Sequence, residues 1–168
     1  MHIVLLEPEI PSNIGNIART CVCTGTTLHL IRPLGFSLNE KQLKRAGMDY
    51  WDLLDLKVYD CYDDFVAAFE ANYPDARIFY ATTKGKQTYA DVSYGPDDFI
   101  MFGKESAGIP EDILRYHRKD CVRIPMGEKL RSLNLANSAA IILYEALRQQ
   151  GFPNLLTEGA LRSGDYKS

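Results

Sequence analysis

No apolar stretch of this chain approaches the roughly 18 to 20 residues that a membrane span requires. The opening MHIVLLEPEIP reaches Glu7 before a signal-peptide core could form, so the sequence reads as that of a soluble, cytoplasmic protein with no membrane partner. Histidine is scarce: His2, His29 and His117 stand far apart, no Cys-x-x-Cys or His-x-x-x-His pair occurs, and no metal site is expected. Cys21, Cys23, Cys61 and Cys121 are irregularly spaced in a chain large enough to do without covalent staples, which predicts reduced, buried thiols. No Gly-x-Gly is present, which excludes the dinucleotide fingerprint and the glycine loop of ordinary Rossmann-type methyltransferases. Gly103 and Gly108 have the gap of a P-loop, but Ile109 stands where that motif needs its lysine and Pro110 where it needs Ser or Thr, which disfavours a nucleotide triphosphatase. Positive charge is not in excess either: the net charge of −3 argues against indiscriminate nucleic-acid binding. A focused basic patch stays open at Lys41, Lys44 and Arg45, at Arg115, His117, Arg118 and Lys119, or at Lys129 and Arg131, with solvated helix faces as the plain alternative.

What is present suits one compact domain. The 168 residues are 46% hydrophobic, enough for a substantial core, and the domain is expected over 1–153 with a loose polar tail over 154–168. β-type runs at 2–7, 27–31, 56–59, 77–82, 98–103 and 121–125 alternate with helical patterns at 14–24, 39–46, 62–72, 110–117 and 134–150. That rhythm predicts an α/β fold with a mostly parallel sheet flanked by helices. The last helix is the best marked: Ala136, Ala140, Leu143 and Leu147 keep helical spacing, Gly151 suits its C-terminal cap and Pro153 forbids continuation. Its run AAIILY at 139–144 makes it apolar on more than one side, as in a central core helix or one shared with a homodimer interface.

Three strand-to-helix junctions carry the polar residues from which chemistry could be built. The first, Pro11-Ser12-Asn13-Ile14-Gly15-Asn16-Ile17-Ala18-Arg19, has Ser12 or Asn13 as candidate helix caps and Arg19 nearly two turns beyond Asn13. The second runs Phe99-Ile100-Met101-Phe102-Gly103-Lys104-Glu105-Ser106-Ala107-Gly108-Ile109-Pro110, a buried strand entering a glycine-bearing loop. The third is Arg123-Ile124-Pro125-Met126-Gly127-Glu128-Lys129-Leu130-Arg131-Ser132-Leu133-Asn134-Leu135-Ala136-Asn137, where Ser132 or Asn134 would cap the long helix. Each allows a purely structural reading as a capped helix or a turn.

Together these segments resemble the three signature motifs of the SPOUT (α/β-knot) superfamily: Asn-x-Gly-Asn-x-x-Arg, then Phe-Gly-x-Glu-x-x-Gly-hydrophobic-Pro, then Ile-Pro-Met followed by Ser-Leu-Asn-Leu. The resemblance covers about residues 1–153. Glu-Pro-Glu-Ile-Pro at 7–11 and Arg-Ala-Gly-Met-Asp-Tyr-Trp at 45–51 are most similar to the small bacterial enzymes that 2′-O-methylate the wobble ribose, C34 or U34, of leucine tRNAs. The resemblance implies a C-terminal trefoil knot, S-adenosylmethionine as cofactor, tRNA as partner and a homodimer. It assigns Ala81, Gly103, Ile124, Met126, Ser132 and Leu133 to the cofactor and Asn13, Arg19, Glu105, Ser132 and Asn134 to the acceptor ribose. Lys41, Lys44, Arg45, Asp49 and Tyr50 are assigned to RNA. Ribosomal RNA, another tRNA position, or a non-catalytic RNA-binding factor on the same fold stay open as alternatives.

Overall fold

The computed structural model describes residues 1–35 and 50–161. The expected helix at 39–46 lies outside them. In chain order the elements are β1 (His2–Leu6), α1 (Pro11–Thr24), β2 (Thr27–Ile31), β3 (Leu56–Tyr59), α2 (Tyr62–Asn72), β4 (Ile78–Ala81), β5 (Gln87–Thr88), β6 (Phe99–Phe102), α3 (Glu111–Tyr116), β7 (Cys121–Arg123) and α4 (Leu135–Gln149). Short 3-10 turns occupy Trp51–Leu53 and Arg118–Asp120. The fold is α/β as expected, with β5 added: two residues that pair only with β7 are too short to leave a periodic signal.

The seven strands lie in the order β3-β2-β1-β6-β4-β7-β5, and every pairing is parallel. Parallel sheets are covered on both faces, and the strand sequences show it: β1, β2 and β6 are buried at every residue. Successive side chains alternate between two cores. Ile3, Leu5, Leu28, Leu30, Ile100 and Phe102 pack with Ile14, Ile17 and Ala18 of α1 and Ala139, Ile142, Leu143 and Ala146 of α4. Val4, Leu6, Ile31, Tyr80, Phe99 and Met101 pack on the other side with Phe65 of α2 and Leu114 of α3.

This arrangement creates a switch point. The chain leaves β1 toward α1 on one face, and it leaves the adjacent strand β6 toward α3 on the opposite face. Loops that diverge from neighbouring parallel strands open a crevice at the carboxyl ends of those strands, where ligands of α/β folds are held.

Helix ends follow the sequence with one correction. Pro11 occupies the first turn of α1, where its missing N–H costs nothing, so the helix begins three residues before the expected start. Ser12 and Asn13 are then inside the helix, and neither caps it; the N-cap position is Ile10, with no side-chain cap of its own. At the other end Gly25 takes φ 65°, the left-handed conformation that closes a helix and that a Cβ would penalise. The cysteine expectation is corrected in part: all four thiols are free, Cys21 and Cys121 are buried, but Cys23 and Cys61 are exposed. Cys23 sits on the solvent side of an amphipathic helix and Cys61 just ahead of α2, places that spacing alone does not distinguish. No helix among the described residues is long and apolar enough to cross a membrane.

Candidate functional site

A cleft of about 480 Å³ opens at the switch point. Four chain segments line it: Ile10 and Asn13 after β1, Ala81 to Lys84 after β4, Phe102 to Ile109 at the end of β6, and Ile124, Met126 and Arg131 to Leu135 after β7. Its walls are apolar at Phe102, Ile109, Ile124, Met126, Leu133 and Ile142, and its hydroxyls come from Thr82, Thr83, Ser106, Ser132 and Ser138. Apolar walls with a few fixed polar groups are the usual form of a small-molecule site. Among the described residues no group of three or more His, Cys, Asp or Glu side chains converges as metal ligands would.

The floor of the cleft is tied together by a chain of side-chain hydrogen bonds between segments far apart in the sequence. Glu105 Oε1 accepts from Asn13 Nδ2 at 2.8 Å and from the Ile10 N–H at 3.3 Å, while its Oε2 accepts from the Glu9 N–H at 2.8 Å. A carboxylate 95 residues away from Ile10 thus ties the chain entering α1 and the Asn13 side chain of its first turn, placed where the helix dipole favours negative charge. Asn13 Oδ1 in turn accepts from Asn134 Nδ2 at 3.0 Å. Asn134 Oδ1 accepts from the N–H groups of Ala136 and Asn137 at 2.9 and 3.2 Å, capping α4. One continuous network therefore joins the start of α1, the loop after β6 and the start of α4. Of the two candidate caps for α4, Asn134 fills the position and Ser132 is left exposed on the cleft wall.

A second set of ties fastens the segment after β1 to the same loop. The Glu9 carboxylate accepts from the Ser106 N–H and hydroxyl, each at 2.8 Å, and these two donors hold its pKa below the usual carboxylate range. Lys104 Nζ donates to Glu7 Oε2 at 2.6 Å, and that partner raises the lysine pKa. Glu7 itself has φ 50°, uncommon for a residue with a side chain. Gly103 is where the loop passes closest to itself: a Cβ there would stand 2.0 Å from the Gly108 carbonyl carbon.

The structure brings Asn13, Ala81, Gly103, Glu105, Ile124, Met126, Ser132, Leu133 and Asn134 to this one cleft. Arg19 is elsewhere. It is exposed, outside the cleft lining, with its guanidinium 4.6 Å from the centre of the Tyr50 ring. Tyr50 is anchored in turn, its hydroxyl donating to the Gly15 carbonyl at 2.6 Å. Lys41, Lys44, Arg45 and Asp49 lie outside the described residues. Sequence reasoning missed Glu7, Glu9, Lys104 and Ser106 as builders of the site. The signal was Glu-Pro-Glu at a strand end, two carboxylates held apart by a residue that cannot donate a hydrogen bond.

Comparison with known proteins agrees with this geometry. The model of the SpoU rRNA Methylase family matches residues 1–144. A protein of Yersinia pestis named tRNA (cytidine(34)-2′-O)-methyltransferase is 45% identical over 159 residues, spanning 93% of this chain and 98% of its own length. A crystal structure from Bacillus anthracis superposes with a TM-score of 0.86 at 48% identity, covering 92% of this chain and 96% of the other. A structure described as giving insight into the 2-OH methylation of C/U34 on tRNA superposes with a TM-score of 0.81 at 44% identity, covering 89% and 95%. A more distant likeness, 24% identical with a TM-score of 0.77 over 89% of this chain and 57% of the other, is a SpoU methyltransferase of Streptomyces viridochromogenes in complex with the cofactor AdoMet. At that identity the likeness shows the fold.

Proposed function

The chain belongs to the SpoU rRNA methylase family, and from that premise we propose that it transfers the methyl group of S-adenosylmethionine to the 2′-hydroxyl of the wobble ribose, C34 or U34, in tRNA, with leucine isoacceptors as the substrates. The observation that carries the reading is the cleft at the switch point, where all three signature segments meet around the Glu105–Asn13–Asn134 network.

The cleft suits the cofactor. Ile124, Met126, Leu133 and Ile142 offer apolar faces to an adenine, and the loops around Gly103 and Ser132 offer backbone groups to its polar edges. When bound, the cofactor supplies a methyl group on a sulfonium, an electrophile whose cleavage needs no help from a metal. The protein has two tasks: to hold a ribose oxygen in line with that methyl, and to ease loss of the hydroxyl proton. Asn13, Glu105, Ser132 and Asn134 are assigned to the first. Three of these four are already cross-linked by hydrogen bonds, so their geometry is set before RNA arrives. Arg19 is assigned to the second. It acts by charge, gripping a phosphate and easing ionisation of the hydroxyl, while the proton leaves to another group or to water.

The same reading places the protein in the cytoplasm as a homodimer with a C-terminal knot, the domain running to residue 153. Two features support it. Ile141 and Tyr144 on α4 are 36% and 46% exposed on one side of a helix whose other side fills the core. After β7, near one edge of the sheet, the chain returns to lay α4 over the centre beside α1. Ribosomal RNA is the second reading, favoured by the name of the matching family. One experiment separates the two: total RNA from a strain lacking the gene is incubated with the protein and methyl-labelled cofactor, and the labelled nucleotide is mapped. Label at position 34 of tRNA is expected; label in ribosomal RNA, or none, would refute the proposal.

A further inference from the structure

A second cleft, of about 400 Å³, lies beyond the first on the α3 side of the sheet. Lys84 lines both, so the two are contiguous. The second is lined by Lys84, Lys86, Arg115 and Arg118 around a single carboxylate, Glu111, with Leu114 and Cys121 at its base. Glu111 serves two of these cations, at 2.7 Å from Lys84 Nζ and 3.9 Å from an Arg115 guanidinium nitrogen. The surplus is therefore positive in a chain whose net charge is −3, a local departure that marks an anion-binding surface. Beside it, between Arg115 and the turn that carries Arg118, Tyr116 leaves 86% of its surface in solvent. Its neighbour His117 is turned inward, stacked on Tyr80 with centroids 4.5 Å apart.

A wide basic groove next to an exposed aromatic ring is the combination that single-stranded nucleic acid selects: cations follow the phosphates and the ring receives an unpaired base. We propose that this cleft, with Tyr116 at its side, docks the single-stranded RNA flanking the methylated nucleotide, Lys86 and Arg118 contacting backbone phosphates and Tyr116 stacking on a base. The inference rests on the RNA-methylation reading above, and it adds a surface on α3 to the segment around Tyr50 that the sequence motifs assign to RNA.

The test uses the full chain and tRNA from the strain lacking the gene. Affinity is measured as a function of salt for the wild type, Lys86→Gln/Arg118→Gln, Tyr116→Ala, and Lys57→Glu, a control on β3 at the far edge of the sheet with the same change in net charge. The double variant should bind several-fold more weakly, with the slope of log affinity against log salt reduced by about 0.7 to 0.9 for each lost phosphate contact. Tyr116→Ala should lose about fivefold or more in affinity with the slope unchanged, because stacking releases no counterions. Cofactor affinity should stay the same in every variant. A double variant whose affinity and slope match the wild type or Lys57→Glu would overturn the proposal, and full affinity in Tyr116→Ala would overturn its stacking half. A wild type that methylates no RNA would instead overturn the functional reading itself.

Discussion

At the scale of the residue, Asn134 carries two loads that a single substitution can separate. Its Oδ1 caps α4 and its Nδ2 holds Asn13. Asn134→Ala should cost about 1 to 2 kcal/mol from the lost cap, read as a lower urea midpoint. Asn134→Asp should keep the cap and the stability yet place a carboxylate against the Asn13 carbonyl oxygen, so its activity should fall while its midpoint does not. Equal losses in the two variants would contradict the division. Arg19 allows the complementary test. It lies outside the cleft proposed to hold the cofactor, so Arg19→Ala should cut turnover far more than cofactor affinity, measured by single-turnover methylation beside calorimetric binding of S-adenosylhomocysteine. A comparable loss in both would remove Arg19 from the acceptor side.

At the scale of the element, the strands away from the site set the pH range of the fold. His2 Nδ1 and His29 Nε2 lie 3.1 Å apart in the core, and His29 Nδ1 is 3.0 Å from the Tyr59 hydroxyl. Burial, first of all, lowers the His2 pKa from 6.5 to about 4 and that of His29 to about 3; the N-terminal ammonium and Lys57 lower His2 further, and His2 and Lys57 lower His29 further, against opposing effects from Asp97 and Asp55 on His2 and from Asp55 on His29. Between pH 6.5 and about 4 the unfolded chain therefore binds protons that the folded one refuses. Stability is full only well above pH 6.5 and falls on acidification towards a limiting slope of about 1.4 kcal/mol per pH unit for each histidine. Urea midpoints at pH 6.5, 5.5 and 4.5 should fall more steeply for the wild type than for His2→Gln; parallel slopes would show that the pair does not control acid unfolding. Most elements were legible in sequence because each carries its own local pattern: β1 and β6 as short apolar runs, β2 as the β-type run TLHLI, α4 by its 136-140-143-147 spacing with Asn134 before it and Gly151 after. The sequence places the start of α1 three residues late because Pro11 occupies its first turn, and no local pattern reports that Glu105, 95 residues away, binds the Ile10 N–H.

At the scale of the whole molecule, the exposed Ile141 and Tyr144 of α4 mark the face on which the proposed homodimer would close. Charges placed there by Ile141→Asp with Tyr144→Asp should convert a dimer into a folded monomer in sedimentation, with circular dichroism unchanged. A wild type that already sediments as a monomer would refute the homodimer. The sequence by itself determined the α/β class, the order of every described element except β5, and three of the four segments that line the cleft, because hydrophobic period, turn residues and caps act within a few residues of chain. Only the tertiary structure decided that β6 lies between β1 and β4, that Glu105 binds Asn13 and Asn134 binds Asn13 in turn, that Arg19 stays outside the cleft, and that Lys84, Lys86, Arg115 and Arg118 share a groove. The physical reason is common to all four: strand order and long-range hydrogen bonds are settled by how buried surfaces pack and by which polar groups must find partners once water is excluded, and neither leaves a periodic mark on the chain.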